Sequence, residues 1–104
     1  MLSKHERLGA RGVKARAVRS GRFRFGSFKA LAMRPPRASV VVSKKVARAA
    51  TARNRIRRRF AAILRAFIRS GALSESVILY PNHAAYSAPH SELVSELKRA
   101  LGVR

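Results

Sequence analysis

From residue 51 to residue 69, Ile56, Phe60, Ile63, Leu64 and Phe67 recur at i, i+4, i+7, i+8 and i+11. That spacing draws one apolar stripe along a helix of 3.6 residues per turn. Arg55, Arg58, Arg65 and Arg69 project from the opposite side, while Arg57 and Arg59 flank the stripe. Gly71 is a natural stop. A second helix is predicted over 90–101, where Leu93, Val94, Leu97, Ala100 and Leu101 share a face. Its acidic residues come early and Lys98-Arg99 come late, in the sense the helix dipole favours, and Gly102 ends it.

The rest of the chain changes period. Residues 22–33 alternate as a strand does, with Phe23 and Phe25 in one phase and Phe28, Ala30 and Ala32 in the other. The slip falls at Gly26-Ser27 and predicts a bulge or a break between two strands. After Pro35-Pro36, the β-branched run at 38–42 and the short run 77–80 both read as strands. Residues 3–19 read as a weak helix: Ser3 and Glu6 have capping-box spacing, but Leu8, Val13, Ala17 and Val18 form a ragged face interrupted by Gly9 and Gly12. The order is helix, two or three strands, helix, strand, helix, which in its fuller form is αβββαβα. The strand–helix–strand unit over 38–80 makes those two strands parallel neighbours. The expected fold class is α+β, a two-layer α/β sandwich in which one mixed sheet carries helices on one face and leaves the other open. The 104 residues are read as a single domain.

Charge adds what periodicity does not show. The chain holds 24 Lys and Arg against four acidic residues, a formal net charge of +20. Between Arg7 and Ser74 there are 20 basic residues and no acidic one, whereas 75–104 carries three of each sign. Such a body repels itself unless a polyanion neutralises it, and nucleic acid is the first choice. The absence of cysteine excludes a disulfide framework and thiolate metal sites. No apolar run reaches the roughly 18 residues a membrane span needs. Met1 to Glu6 show no signal-peptide core, so a cytoplasmic protein is expected.

Candidate chemistry concentrates in Ser43-Lys44-Lys45-Val46 and Arg53-Asn54-Arg55-Ile56-Arg57-Arg58-Arg59. A strand ends on two lysines, a short linker follows, and a helix begins with five arginines in seven residues. Guanidinium forks grip phosphate oxygens, and a helix N-terminus adds backbone donors. Asn54 both donates and accepts, so it is able to contact a 2′-hydroxyl or a base edge. A merely solvated helix face would carry acidic partners, and none is present here. No protein active site is visible. His5, His83 and His90 stand apart at no metal-ligand spacing, and Glu92 and Glu96 form a single i,i+4 pair best read as a solvated face.

The stretch Ser43-Lys44-Lys45-Val46 with Ala52-Arg53-Asn54-Arg55-Ile56-Arg57-Arg58 resembles the signature of the bacterial ribonuclease P protein component. In that family a Ser-Lys-Lys strand end precedes an Arg-Asn-Arg helix. Arg7-Leu8, Gly21, Phe28, the 77–80 strand and the final helix follow the same order, so the resemblance runs from about residue 7 to residue 101. It implies an α/β sandwich with a left-handed strand–helix–strand crossover, against the usual right-handed rule. It also implies a division of labour in which a catalytic RNA with bound magnesium removes the 5′ leader of precursor tRNA, and the protein binds both RNAs. On that mapping Lys44, Lys45, Arg53, Asn54, Arg55, Arg57, Arg58 and Arg59 face the catalytic RNA. Phe23, Phe25 and Phe28 become candidates for the leader cleft, where bases stack on aromatic faces with little sequence preference. Three phenylalanines in a strand serve as core about as often, and that alternative stays open. The resemblance implies magnesium held mainly by the RNA; no obligate protein partner is expected.

Lys14 and Val18 stand where the family often has first-helix aromatics, Ala47 stands where a glycine commonly follows Ser-Lys-Lys-Val, and the C-terminal end is short. Three rival readings share the charge. A small basic ribosomal protein needs the same phosphate contacts without a single-strand cleft. A DNA-binding protein using 53–69 as recognition helix lacks the Asn, Gln and Ser content of base readout. A membrane-surface helix does not fit between two parallel strands.

Overall fold

A computed structural model describes residues 17–32, 35–73 and 75–103. It contains strands β1 (Ala17–Phe23), β2 (Gly26–Leu31) and β3 (Ala38–Val40), helix α1 (Ala50–Arg69), strand β4 (Ser76–Pro81), a 3-10 turn (His83–Tyr86) and helix α2 (His90–Leu101). The four strands form one sheet in the order β1-β2-β4-β3. β1 and β4 each pair antiparallel with β2, and β3 pairs parallel with β4 through Ala38↔Val77, Ser39↔Ile78 and Val40↔Leu79. The parallel neighbours expected from the 38–80 unit are therefore present.

The slip at Gly26-Ser27 is a hairpin: Phe23 pairs with Gly26 across a turn made by Arg24 and Phe25. Gly26 has φ +147°, and a Cβ there would run into the Tyr80 carbonyl of the neighbouring strand, so only glycine lets β2 and β4 close at this point. The expected helix over 3–19 is corrected at its end. Ala17, Val18 and Arg19 belong to β1, because pairing with β2 as far as Leu31 supplies backbone bonds that their weak helical face did not. Val18 is thus a strand residue, 57% exposed. The remainder of that segment, with Lys14, lies outside the described residues.

The core sits between the sheet and the two helices. Ile56, Phe60, Ile63, Leu64 and Phe67 of α1 and Leu93, Leu97 and Leu101 of α2 pack with Phe25, Phe28, Ala38, Val77 and Leu79 in one apolar cluster. The stripe read from the sequence is the stripe that is buried. α1 ends as Gly71 predicts: at φ +77° it lets the Gly71 and Ala72 amides reach back to the carbonyls of Ile68 and Phe67. The far face of the sheet is less open than expected. Leu31 and Ile78 are each 1% exposed there and pack with Tyr80, while Ser20, Arg22 and Lys29 are exposed.

Candidate nucleic-acid interface

Because β3 and β4 run parallel, their C-terminal ends deliver two loops to the same end of the sheet. One is the Lys44–Val46 turn that leads into α1; the other is the 3-10 turn after β4. Lys44 and Lys45 are exposed, and the turn is closed by the Val46 and Ala47 amides donating to the Ser43 carbonyl. His83 Nδ1 donates to the Val46 carbonyl at 3.1 Å and joins the two loops. A depression of about 680 Å³ lies between them, lined by Lys44, Lys45, Arg48 and His83 among others.

The arginines of α1 divide by what they touch. No side chain caps the helix N-terminus. Instead Arg53 turns back, and its Nη1 donates to the carbonyls of Ala47 at 3.1 Å and Arg48 at 2.7 Å, which fixes the linker against the first turn. Arg59 Nη1 donates to the carbonyls of Ala85 at 2.9 Å and Tyr86 at 3.1 Å, and its Nη2 donates to the Ala88 carbonyl. Arg57 Nη1 donates to Asn54 Oδ1 at 2.6 Å. Arg55 lies 5.2 Å from the centroid of the Tyr86 ring, and its Nε donates to the Tyr86 carbonyl at 3.4 Å. The Arg58 side chain is exposed and makes no hydrogen bond or ion pair with a described residue. Arg55, Arg58 and Arg59 line a second depression of about 460 Å³ with Thr51, Ala52 and Tyr86.

The eight basic and polar candidates are therefore brought to one end of the molecule, in different conditions. Arg58, Lys44 and Lys45 present their charges outward. Arg53 and Arg59 spend their donors on backbone carbonyls and hold the surface in shape. His83, Tyr86 and Arg48 belong to the same strip and were not singled out. The signal available for them was topological, since parallel strands put the loop after β4 beside the start of α1.

Phe25 and Phe28 require correction as leader-cleft candidates. They are 2% and 5% exposed and sit in the main core, because their phase of β2 and the hairpin turn faces the helices. A ring enclosed on both faces offers no surface to a base. Phe23 is half-buried and meets Phe60 edge-on, with centroids 6.3 Å apart at 85°. It too belongs to the helix side.

The described carboxylates are engaged elsewhere. Glu75 lies 3.9 Å from Arg19, Glu92 lies 3.4 Å from Arg24, and Glu96 lies 2.7 Å from Arg99. Among the described residues no group of three or more His, Asp or Glu comes together at a spacing that would hold a metal ion, and no helix is long and apolar enough to cross a membrane.

A mixed four-stranded sheet that bares an arginine-rich helix and a lysine turn at one end defines a small basic α+β protein. The family model for ribonuclease P matches residues 2–103, and the chain belongs to the ribonuclease P protein family. The fold is shared with the RNase P protein of Staphylococcus aureus, at TM-score 0.66 and 21% identity over 81% of this chain and 78% of that one. A mutant of the S. aureus protein with defective mRNA degradation activity superposes at TM-score 0.72 and 20% identity, over 95% of this chain and 87% of that one. No match was found among curated protein sequences. Membership places the chain in the setting of a tRNA-processing ribonuclease and implies association with ribonuclease P RNA.

Proposed function

We propose that this chain is the RNA-binding subunit of a bacterial ribonuclease P. It binds the catalytic RNA through the α1 strip, binds the 5′ leader of precursor tRNA on the sheet, and assists magnesium-dependent removal of that leader. The observation that carries this reading is the strip itself: Lys44, Lys45 and Arg58 are exposed at one end of the sheet, and the described carboxylates pair with other arginines. Phosphates are the complement of such a surface.

The hydrolytic step is assigned to the RNA. Each described carboxylate is already paired with an arginine, so the donor set suits ion pairing rather than a magnesium cluster. Magnesium on this reading is held mainly by RNA phosphates, and the setting is cytoplasmic.

For the leader, the corrected phenylalanines leave the other face of the sheet. Ser20 and Arg22 of β1, Ser27 and Lys29 of β2 and Tyr80 of β4 border a depression of about 320 Å³ there. The Lys29 ammonium lies 5.6 Å from the Tyr80 ring centroid, so one cation and one aromatic face stand together. Phe28 borders the same depression but is almost wholly enclosed.

The test is the salt dependence of binding to a bacterial ribonuclease P RNA. Steep weakening with salt, and a preference over an unrelated structured RNA of equal length, are expected. Equal affinity for both RNAs would remove the assignment to ribonuclease P.

A further inference from the structure

The 3-10 turn carries two rings that the core does not account for. Tyr86 is 39% exposed and belongs to neither apolar cluster, and His83 is exposed. Their rings are parallel within 3°, with centroids 6.4 Å apart. The turn beneath them is held from four directions. Asn82 Oδ1 accepts from the Ala84 amide, and Asn82 Nδ2 donates to the Arg24 carbonyl. Arg59 grips the carbonyls of Ala85 and Tyr86, and His83 reaches the Val46 carbonyl. A pair of exposed, parallel rings on so firmly fixed a backbone is a preorganised surface.

Its surroundings name the occupant. On one side lie Arg55 and Arg58, on the other Lys44, Lys45 and Arg48. Tyr86 lines one depression and His83 the other, so the two parallel rings have cations on both flanks, with the described carboxylates paired elsewhere. Alternation of phosphate-binding cations with an aromatic face is the chemistry that takes up an unpaired nucleotide: the base stacks and the flanking phosphates are neutralised. We propose that the His83–Tyr86 turn is a stacking platform for an unpaired nucleotide of the RNA bound by α1, with Arg55 and Arg58 on one neighbouring phosphate and Lys44, Lys45 and Arg48 on the other. This rests on the RNA-binding reading of α1 and extends the interface beyond that helix to the segment after β4.

Arg55, already over the Tyr86 ring, keeps the plane ordered before RNA arrives. The platform predicts dependence on a flat ring rather than on bulk or on the hydroxyl.

The experiment measures binding of a bacterial ribonuclease P RNA to wild type and to Tyr86→Phe, Tyr86→Leu, His83→Ala and Arg58→Ala, with circular dichroism melts verifying that each variant is folded. Tyr86→Phe should bind as wild type, while Tyr86→Leu should bind about five- to a hundredfold more weakly, the range of base–aromatic stacking. The chain has two tyrosines and no tryptophan, so ultraviolet emission reports on Tyr80 and Tyr86. RNA should quench a component in wild type that is missing from Tyr86→Phe. If Tyr86→Leu and His83→Ala, both folded, bind like wild type while Arg58→Ala is weakened, the platform is overturned and the α1 interface stands. If Arg58→Ala also binds like wild type, the reading of α1 on which the platform rests falls with it.

Discussion

The Arg59 guanidinium lies 2.9 Å from the carbonyl oxygen of Ala85 and so ties α1 to the turn after β4. With Tyr86 and Ala88 it serves three carbonyls across a gap of some thirty residues of sequence. An arginine in a cluster that reads as phosphate-binding is thus also the brace of the surface on which the cluster sits. Replacing Arg59 with alanine takes this donor from all three carbonyls, of which Tyr86 keeps the longer bond from Arg55, and is expected to cost about 1.5–3 kcal/mol, the range for hydrogen bonds to charged groups. Thermal or urea melts measure the loss; a stability unchanged within about 0.5 kcal/mol would show that the brace carries no load.

Arg58 and Arg53 should separate in the same way. Arg58→Ala is expected to weaken binding to ribonuclease P RNA and to reduce the log–log salt slope by about one unit, as loss of one phosphate contact does, without moving the melting temperature. Arg53→Ala should lower stability by about 1 kcal/mol, because the linker carbonyls of Ala47 and Arg48 lose their donor at an otherwise uncapped helix start. Paired melts and salt titrations distinguish the two outcomes.

Phe25→Ala and Phe28→Ala should each destabilise the protein by about 3–5 kcal/mol, as large-to-small changes in a packed core do. Lys29→Ala and Tyr80→Leu should instead weaken affinity for precursor tRNA with a leader, leaving affinity for the catalytic RNA alone unchanged. A folded Phe28→Ala variant with impaired leader binding and full stability would reverse this assignment of faces.

Gly26→Ala tests the junction of β2 and β4. The added Cβ would stand 2.8 Å from the Pro81 Cα and close upon the Tyr80 carbonyl, at a φ of +147° that other residues avoid. The strain and the opened strand pairing should cost about 3 kcal/mol, which for a chain this small lowers the melting temperature by roughly 10 °C or more.

Periodicity made the two helices and their buried stripes legible, because Ile56 to Phe67 and Leu93 to Leu101 face one partner layer and repeat accordingly. The parallel pairing of β3 with β4 was legible from the helix between them. Three things were not. Ala17 to Arg19 have little intrinsic preference, and only the partner strand decides their state. Alternation in β2 separates two faces but does not say which one the helices cover, so Phe28 read equally as platform and as core. The sequence also does not show which arginines spend their donors internally: Arg58 and Arg59 are neighbours in the chain, yet one is free toward solvent and the other holds three carbonyls. That distinction depends on the turn at His83–Tyr86, which comes from twenty-five residues downstream.

On the proposed function, this protein supports a reaction whose chemistry resides in RNA. The most direct measurement is cleavage of a precursor tRNA with a 5′ leader at low magnesium, by a bacterial ribonuclease P RNA alone, by this protein alone, and by the two together. Cleavage at the mature 5′ end only in the mixture is the expected result. Cleavage at that position by the protein alone, or no stimulation of the RNA by the protein, would contradict the account.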